Sequence, residues 1–244
     1  GVVNLKSTKV KDGVHQRYGL SYGSFETLDA LTEFSYGGDK HDVLLGIDFK
    51  RTEGDFTFHD DNGTPLNSSD DQETTRINNA ALFVHPHLSW THRFDALTTL
   101  SVHEHVFVND AGVPGLGTFQ SDNAHLFGAE WLSQIVLKRT GFFDDKAEVS
   151  NSLYWRWIGS QFEDPDGEIG LGAAQDNNNK TFVFGDRLVW DTKFSEVFDL
   201  KNGVEVITER FDPYDALAAD PQGDVSHRVQ LNAFLEASTK IFDK

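Results

Sequence analysis

The 244-residue sequence contains no cysteine, no methionine and only six prolines. Without cysteine there is neither a disulfide framework nor a zinc ribbon. Basic residues are scarce too: 21 Lys and Arg stand against 39 Asp and Glu, a formal charge of −18. Such a field argues against nucleic acid as a partner, because neutralising phosphates takes clustered Lys and Arg. No run of about 18 apolar residues occurs, so no transmembrane helix is expected. That absence does not bear on strands, since a membrane β-barrel shows only short segments of alternating character. With no Met and no visible signal peptide, residue 1 is expected to follow a region removed or left out upstream. Abundant instead are glycine, at 21, and phenylalanine, at 20, which are turn and strand material.

The helical period is nearly missing, whereas two-residue alternation is widespread. Ala80, Leu82, Val84, Pro86, Leu88 and Trp90 alternate with Ala81, Phe83, His85, His87, Ser89 and Thr91. Val229, Leu231, Ala233 and Leu235 are interleaved with Gln230, Asn232, Phe234 and Glu236. Val43, Leu45, Ile47 and Phe49 repeat the pattern, as do Trp131, Ile135 and Leu137. The alternation predicts ten strands, over about 14–23, 27–36, 41–53, 77–93, 97–109, 124–139, 146–160, 180–193, 199–211 and 226–242. Several reach the roughly 9–11 residues that a tilted strand needs to cross the hydrocarbon. Tyr18, Tyr22, Phe34, Tyr36, Trp90, Phe94, Trp131, Trp155, Trp157 and Trp190 fall on the apolar parity, several near strand ends, where interfacial girdles sit.

The connections sort by length. Tight turns are expected near 37–40, 94–96, 140–145 and 195–198, and long polar loops near 54–76, 110–123, 161–179 and 212–225. Short turns at one rim and long loops at the other are the habit of an outer-membrane barrel. The short link at 24–26 is the one exception. The expected fold class is all-β: an antiparallel transmembrane β-barrel of about ten long strands. A soluble two-sheet sandwich that binds glycans is the bland alternative, and membrane fractionation separates the two.

No catalytic constellation emerges. Ser, His and Asp occur in no nucleophile-elbow context, and an enzyme is not expected. The histidines are more suggestive: His85 and His87 share the polar parity of one strand, and His103 and His105 that of the next. A hairpin centred on Asp95 sets His85 opposite His105 and His87 opposite His103, lining one patch within reach of zinc, copper or haem iron. Hydrogen bonding to a plug or to nearby carboxylates is the simpler use of the same imidazoles. Asp60, Asp61 and Asn62, with Asp70 and Asp71, offer oxygen ligands suited to calcium in a predicted outer loop. A merely solvated acidic loop is the plainer reading. Arg17, Glu130, Arg156 and Arg187 also fall on the polar parity, beside Asp29, Glu33, Asp48, Lys50 and Glu205, where mixed signs imply ion pairs between wall and plug and a wet interior.

Four stretches carry a family likeness. Gly1-Val2-Val3-Asn4-Leu5, running on to Thr8-Lys9, resembles the last plug strand of TonB-dependent outer-membrane receptors. Arg17-Tyr18-Gly19-Leu20-Ser21-Tyr22-Gly23-Ser24-Phe25 resembles their first barrel strand and its corner. Asp48-Phe49-Lys50-Arg51-Thr52-Glu53-Gly54-Asp55 is similar to the third strand entering its external loop, and Val113-Pro114-Gly115-Leu116-Gly117 to a stretch of a later loop. The resemblance implies residues 1–10 as the end of a plug domain and 11–244 as barrel strands one to ten of a 22-stranded whole. It further implies a Gram-negative outer-membrane location, surrounding outer-membrane lipid, and uptake of a bulky scarce nutrient such as an iron–siderophore, haem or cobalamin. The implied partners are a TonB-type energy-transducing complex, acting through a plug that this sequence does not carry, and the remaining strands or a companion chain. A non-transporting barrel, serving as a structural or surface-interaction component of a larger assembly, is the alternative from a different class.

Overall fold

The computed structural model describes residues 10–143, 146–169 and 172–239. The plug strand expected at 1–10 therefore lies almost wholly outside the described residues, as do the last residues of the strand expected at 226–242. The elements are β1 (Gly13–Gly23), β2 (Thr27–Gly37), β3 (His41–Thr52), β4 (Thr57–Asp60), β5 (Gln72–Thr75), β6 (Ala81–Arg93), β7 (Thr98–Gly112), β8 (Gly115–Leu116), β9 (Phe119–Gln120), β10 (His125–Phe142), β11 (Ala147–Asp164), β12 (Gln175–Lys193), β13 (Phe198–Asp212) and β14 (Ser226–Thr239). Ten of them form one sheet in the order β1-β2-β3-β6-β7-β10-β11-β12-β13-β14, every pairing antiparallel. Among the described residues the sheet does not close: β1 and β14 each have a single neighbour.

Its two faces differ in chemistry. Even positions of β1 and odd positions of β14 turn Tyr18, Leu20, Leu231 and Leu235 outward, and these side chains are 71–78% exposed. Leu45, Ile47, Trp131, Ile135, Phe184, Trp190 and Val206 continue that apolar face across the sheet. Among the described residues only Ala124 and Ala147 are apolar and buried, so the alternation does not serve a closed interior. The opposite face carries the polar residues, and over β10–β13 it holds a hollow of about 360 Å³ lined by Gln134, Glu148, Tyr154, Arg187, Lys201 and Glu205 among others.

Three glycines on that polar face sit directly opposite aromatic rings: Gly46 across from His87, Gly185 from Tyr154, and Gly203 from Phe234. In each pair a Cβ on the glycine would run into the ring. The rings thus lie across the neighbouring strand, a pairing in which an aromatic covers a bare stretch of backbone. Passing over Gly185, Tyr154 reaches from β11 to donate a hydrogen bond to Glu205 Oε1 of β13 at 3.2 Å. Phe234, passing over Gly203, carries the Arg187 guanidinium 5.4 Å from its ring centre.

At one rim the links are tight. In the β6–β7 turn, Asp95 Oδ1 accepts hydrogen bonds from the Leu97 and Thr98 amides, both at 2.7 Å. At the other rim the short β1–β2 turn puts Phe25 and Glu26 at positive φ, and Thr27 N donates to Ser24 O at 3.2 Å. The long loops also lie at this second rim, and they are stitched in series. Thr118 Oγ1 donates to Asp60 Oδ1 at 2.9 Å, and Ile77 N to Gln120 Oε1 at 2.9 Å. Glu168 accepts from Ser121 Oγ (2.6 Å), Asp122 N (2.9 Å) and Asn123 N (3.1 Å). Asn178 N and Ala216 N then bridge to the last long loop, donating to Tyr214 O and Asp176 O at 2.7 and 2.8 Å.

Strand boundaries match the alternation closely except at the outer ends. β12 begins at Gln175, not near 180, and β11 runs to Asp164. The added residues Gln175-Asp176-Asn177-Asn178-Asn179 have poor strand propensity and no alternation, and only their pairing with Ser160–Asp164 makes them strand. The loop expected at 54–76 contains the hairpin β4–β5, and the one at 110–123 the small hairpin β8–β9.

Candidate metal centre

The polar face of β3, β6 and β7 gathers an imidazole cluster. The hairpin register differs from the one expected: His87 lies opposite His105, and His103 opposite Ser89. Asp95 explains the shift. Its side chain caps the amides that follow, so it stands at the start of the turn and the hairpin centres one residue later. Moving the centre by one residue slides the strands by two, which keeps every side chain on its own face but changes partners. Three of the four histidines, His85, His87 and His105, still come together. His103 turns to Ser89, its Nδ1 3.0 Å from Ser89 Oγ.

What the hairpin alone does not reveal is Asp48, which β3 places opposite His85. Its Oδ2 lies 3.2 Å from His85 Nδ1 and 3.7 Å from His87 Nδ1. The ligand atoms of Asp48, His85 and His87 all fall within 4.8 Å of one another. On the far side of His85, Nε2 is 3.1 Å from His105 Nδ1. Phe107 stacks on His85 with ring centres 4.1 Å apart and planes 7° off parallel, fixing that imidazole. The His87 ring lies against Gly46, and its Nδ1 is buried without a hydrogen-bond partner among the described residues. Alternation places Asp48 on this face, but its proximity to the histidines depends on β3 meeting β6 across the long 53–80 connection, whose length says nothing about register.

The other polar-face residues singled out in the sequence differ in their contacts. Arg156 makes a two-pronged bond to Glu130, Nε to Oε1 at 2.7 Å and Nη2 to Oε2 at 2.8 Å. Arg17 stands opposite Glu33. Arg187 lies over Phe234, as described above. Glu104 departs from the division of faces, as does Asp186 between Leu153 and Val206. Glu104 sits on the apolar side, where its carboxylate accepts from Trp131 Nε1 at 2.8 Å and Ser133 Oγ at 2.6 Å, which keeps the charge from being bare there.

In the acidic loop the carboxylates accept from neighbouring donors. Asp60 Oδ1 accepts from Asn62 N and Thr118 Oγ1, and Asp61 Oδ1 from Gly63 N. Asp70 takes the Thr64 hydroxyl and the Asn62 amide, while Asp71 faces His59 Nε2 at 3.0 Å. Among the described residues, no three of these side chains bring acidic or imidazole ligand atoms within 4.8 Å of one another.

No protein-family model matches this chain, and no curated protein does. Solved structures do. The chain superposes on a copper transporter, OprC, with a TM-score of 0.71 at 13% identity, covering 96% of this chain and 35% of that one. It also superposes on the siderophore receptor PiuA from Acinetobacter baumannii, with a TM-score of 0.61 at 13% identity, covering 93% of this chain and 38% of the receptor. The chain thus spans little more than a third of either structure. Its fold is that of a portion of these two structures: ten antiparallel strands in one sheet, unclosed among the described residues.

Proposed function

We propose that the chain is part of the barrel wall of an outer-membrane, TonB-dependent active transporter, and not an enzyme. Its cargo is a bulky scarce nutrient such as an iron–siderophore, haem or cobalamin. The observation that supports this reading is the contrast between the faces. Large apolar side chains such as Leu20, Leu231 and Leu235 stand outward, while the other face holds Arg156–Glu130, Tyr154–Glu205 and the imidazole cluster. Lipid outside and a wet bore inside account for that arrangement. The names of the two similar structures, a copper transporter and a siderophore receptor, add weight to uptake as the role. In this reading the stitched long loops face outward and meet the cargo first, and a plug engaged by the TonB-type complex opens the path.

The test is uptake in a Gram-negative host expressing the full-length protein. Ferric siderophores, haem and cobalamin are offered singly, with and without a functional TonB complex. Uptake of one of them that stops when the complex is absent is the expected result. A protein found in the soluble fraction, or uptake indifferent to the complex, overturns the proposal.

A further inference from the structure

We propose that Asp48, His85 and His87 form a binding site for a divalent first-row transition-metal ion on the polar wall, with His105 as a positioning residue. The site does not depend on which nutrient the barrel carries.

Geometry carries the argument. Ligands held 2.0–2.1 Å from a tetrahedral ion stand about 3.3 Å from one another. The two contacts of Asp48 Oδ2, at 3.2 Å to His85 Nδ1 and 3.7 Å to His87 Nδ1, bracket that spacing. The longer one exceeds a hydrogen bond and leaves His87 Nδ1 with no partner, although the atom is buried. A buried ring nitrogen without a partner is uncommon and calls for a ligand. An ion shared with Asp48 supplies one at this distance.

Neighbouring contacts fit the same role. With His85 Nδ1 committed to the ion, its Nε2–H donates to His105 Nδ1 at 3.1 Å. Such an outer hydrogen bond fixes the tautomer and orientation of a metal-bound histidine. Phe107 clamps the ring from the side. Gly46 leaves the space that His87 occupies, since a Cβ there would meet the ring at Cε1 and Nε2. Two imidazoles and one carboxylate leave coordination positions open, and that donor set suits Cu(II), Zn(II), Ni(II) or Fe(II) in preference to Ca²⁺ or Mg²⁺.

Cu(II) is the probe of choice, because it is bound most tightly in the divalent series and its paramagnetic resonance spectrum reports bound nitrogen. The untagged full-length protein is extracted in detergent and titrated with Cu(II). His85→Gln and His87→Gln are each expected to remove one equivalent of copper and its imidazole-nitrogen splitting. His105→Gln should keep the stoichiometry but weaken binding about 10- to 100-fold. His103→Gln, whose histidine pairs with Ser89, should change nothing. If His87→Gln fails to give a heat-modifiable barrel, Asp48→Asn takes its place with the same expectation. Unchanged stoichiometry and spectrum in the folded His85, His87 or Asp48 variants overturn the site, as does a loss in His103→Gln equal to theirs.

Discussion

Glu168 belongs to an outer loop, yet three donors converge on it. The Ser121 hydroxyl first, then the Asn123 and Asp122 amides, hold its carboxyl below the usual carboxylate range. Those bonds favour the charged form, so the joint between the β7–β10 and β11–β12 loops is intact at neutral pH. As pH falls through the depressed pKa the carboxylate takes a proton and the joint loosens. Hydrogen exchange, corrected for intrinsic rate, is expected to show Asp122 and Asn123 amides protected through the ordinary carboxylate range near pH 4.3 and released only below it. Glu168→Gln is expected to lower that protection already at neutral pH and to abolish its dependence on acid. Equal protection in the variant at every pH counts against the joint. No pattern in the sequence marks Glu168, since nothing local pairs it with residues some 45 positions earlier.

At the scale of elements, the ring-over-glycine pairs suggest how the sheet is shaped. Gly185 lies under Tyr154, so Gly185→Ala forces the ring aside and breaks its reach to Glu205. Overpacking of this kind costs about 1–3 kcal/mol. The expected result is a lower urea midpoint for Gly185→Ala, with most of the loss absent when Tyr154→Ala is made in the same chain. A full penalty in the double variant would show that the ring is not the cause. For the ten strands of the large sheet, existence and facing were readable from alternation alone, down to the apolar parity of Trp131 and Trp190. Register was not. It depended on Asp95 acting as a cap, a choice between two turn geometries that the same residues permit. The outer extensions of β11 and β12 were hidden for another reason: Asn177, Asn178 and Asn179 read as loop, and only cross-strand hydrogen bonds make them strand. The metal-suited cluster was half visible, its histidines by parity and its carboxylate only once β3 and β6 met.

For the whole molecule, the edges of β1 and β14, unpaired among the described residues, dominate. Each presents backbone donors and acceptors to its surroundings, and in hydrocarbon every such unsatisfied group costs several kcal/mol. On the proposed reading, residues 1–244 produced alone are expected to associate edge to edge, whereas a chain that supplies the neighbouring strands forms a single barrel. Cross-linking in detergent distinguishes the two, and a discrete folded monomer of the short chain would contradict the expectation. The outer rim has a different consequence. Because the long loops exchange hydrogen bonds from Asp60 through Thr118, Ser121, Glu168 and Asn178 to Tyr214, they form one continuous crown and not four separate fingers. An antibody that recognises this crown reads residues far apart in the chain, so its epitope vanishes on boiling even though every peptide of the surface is still present.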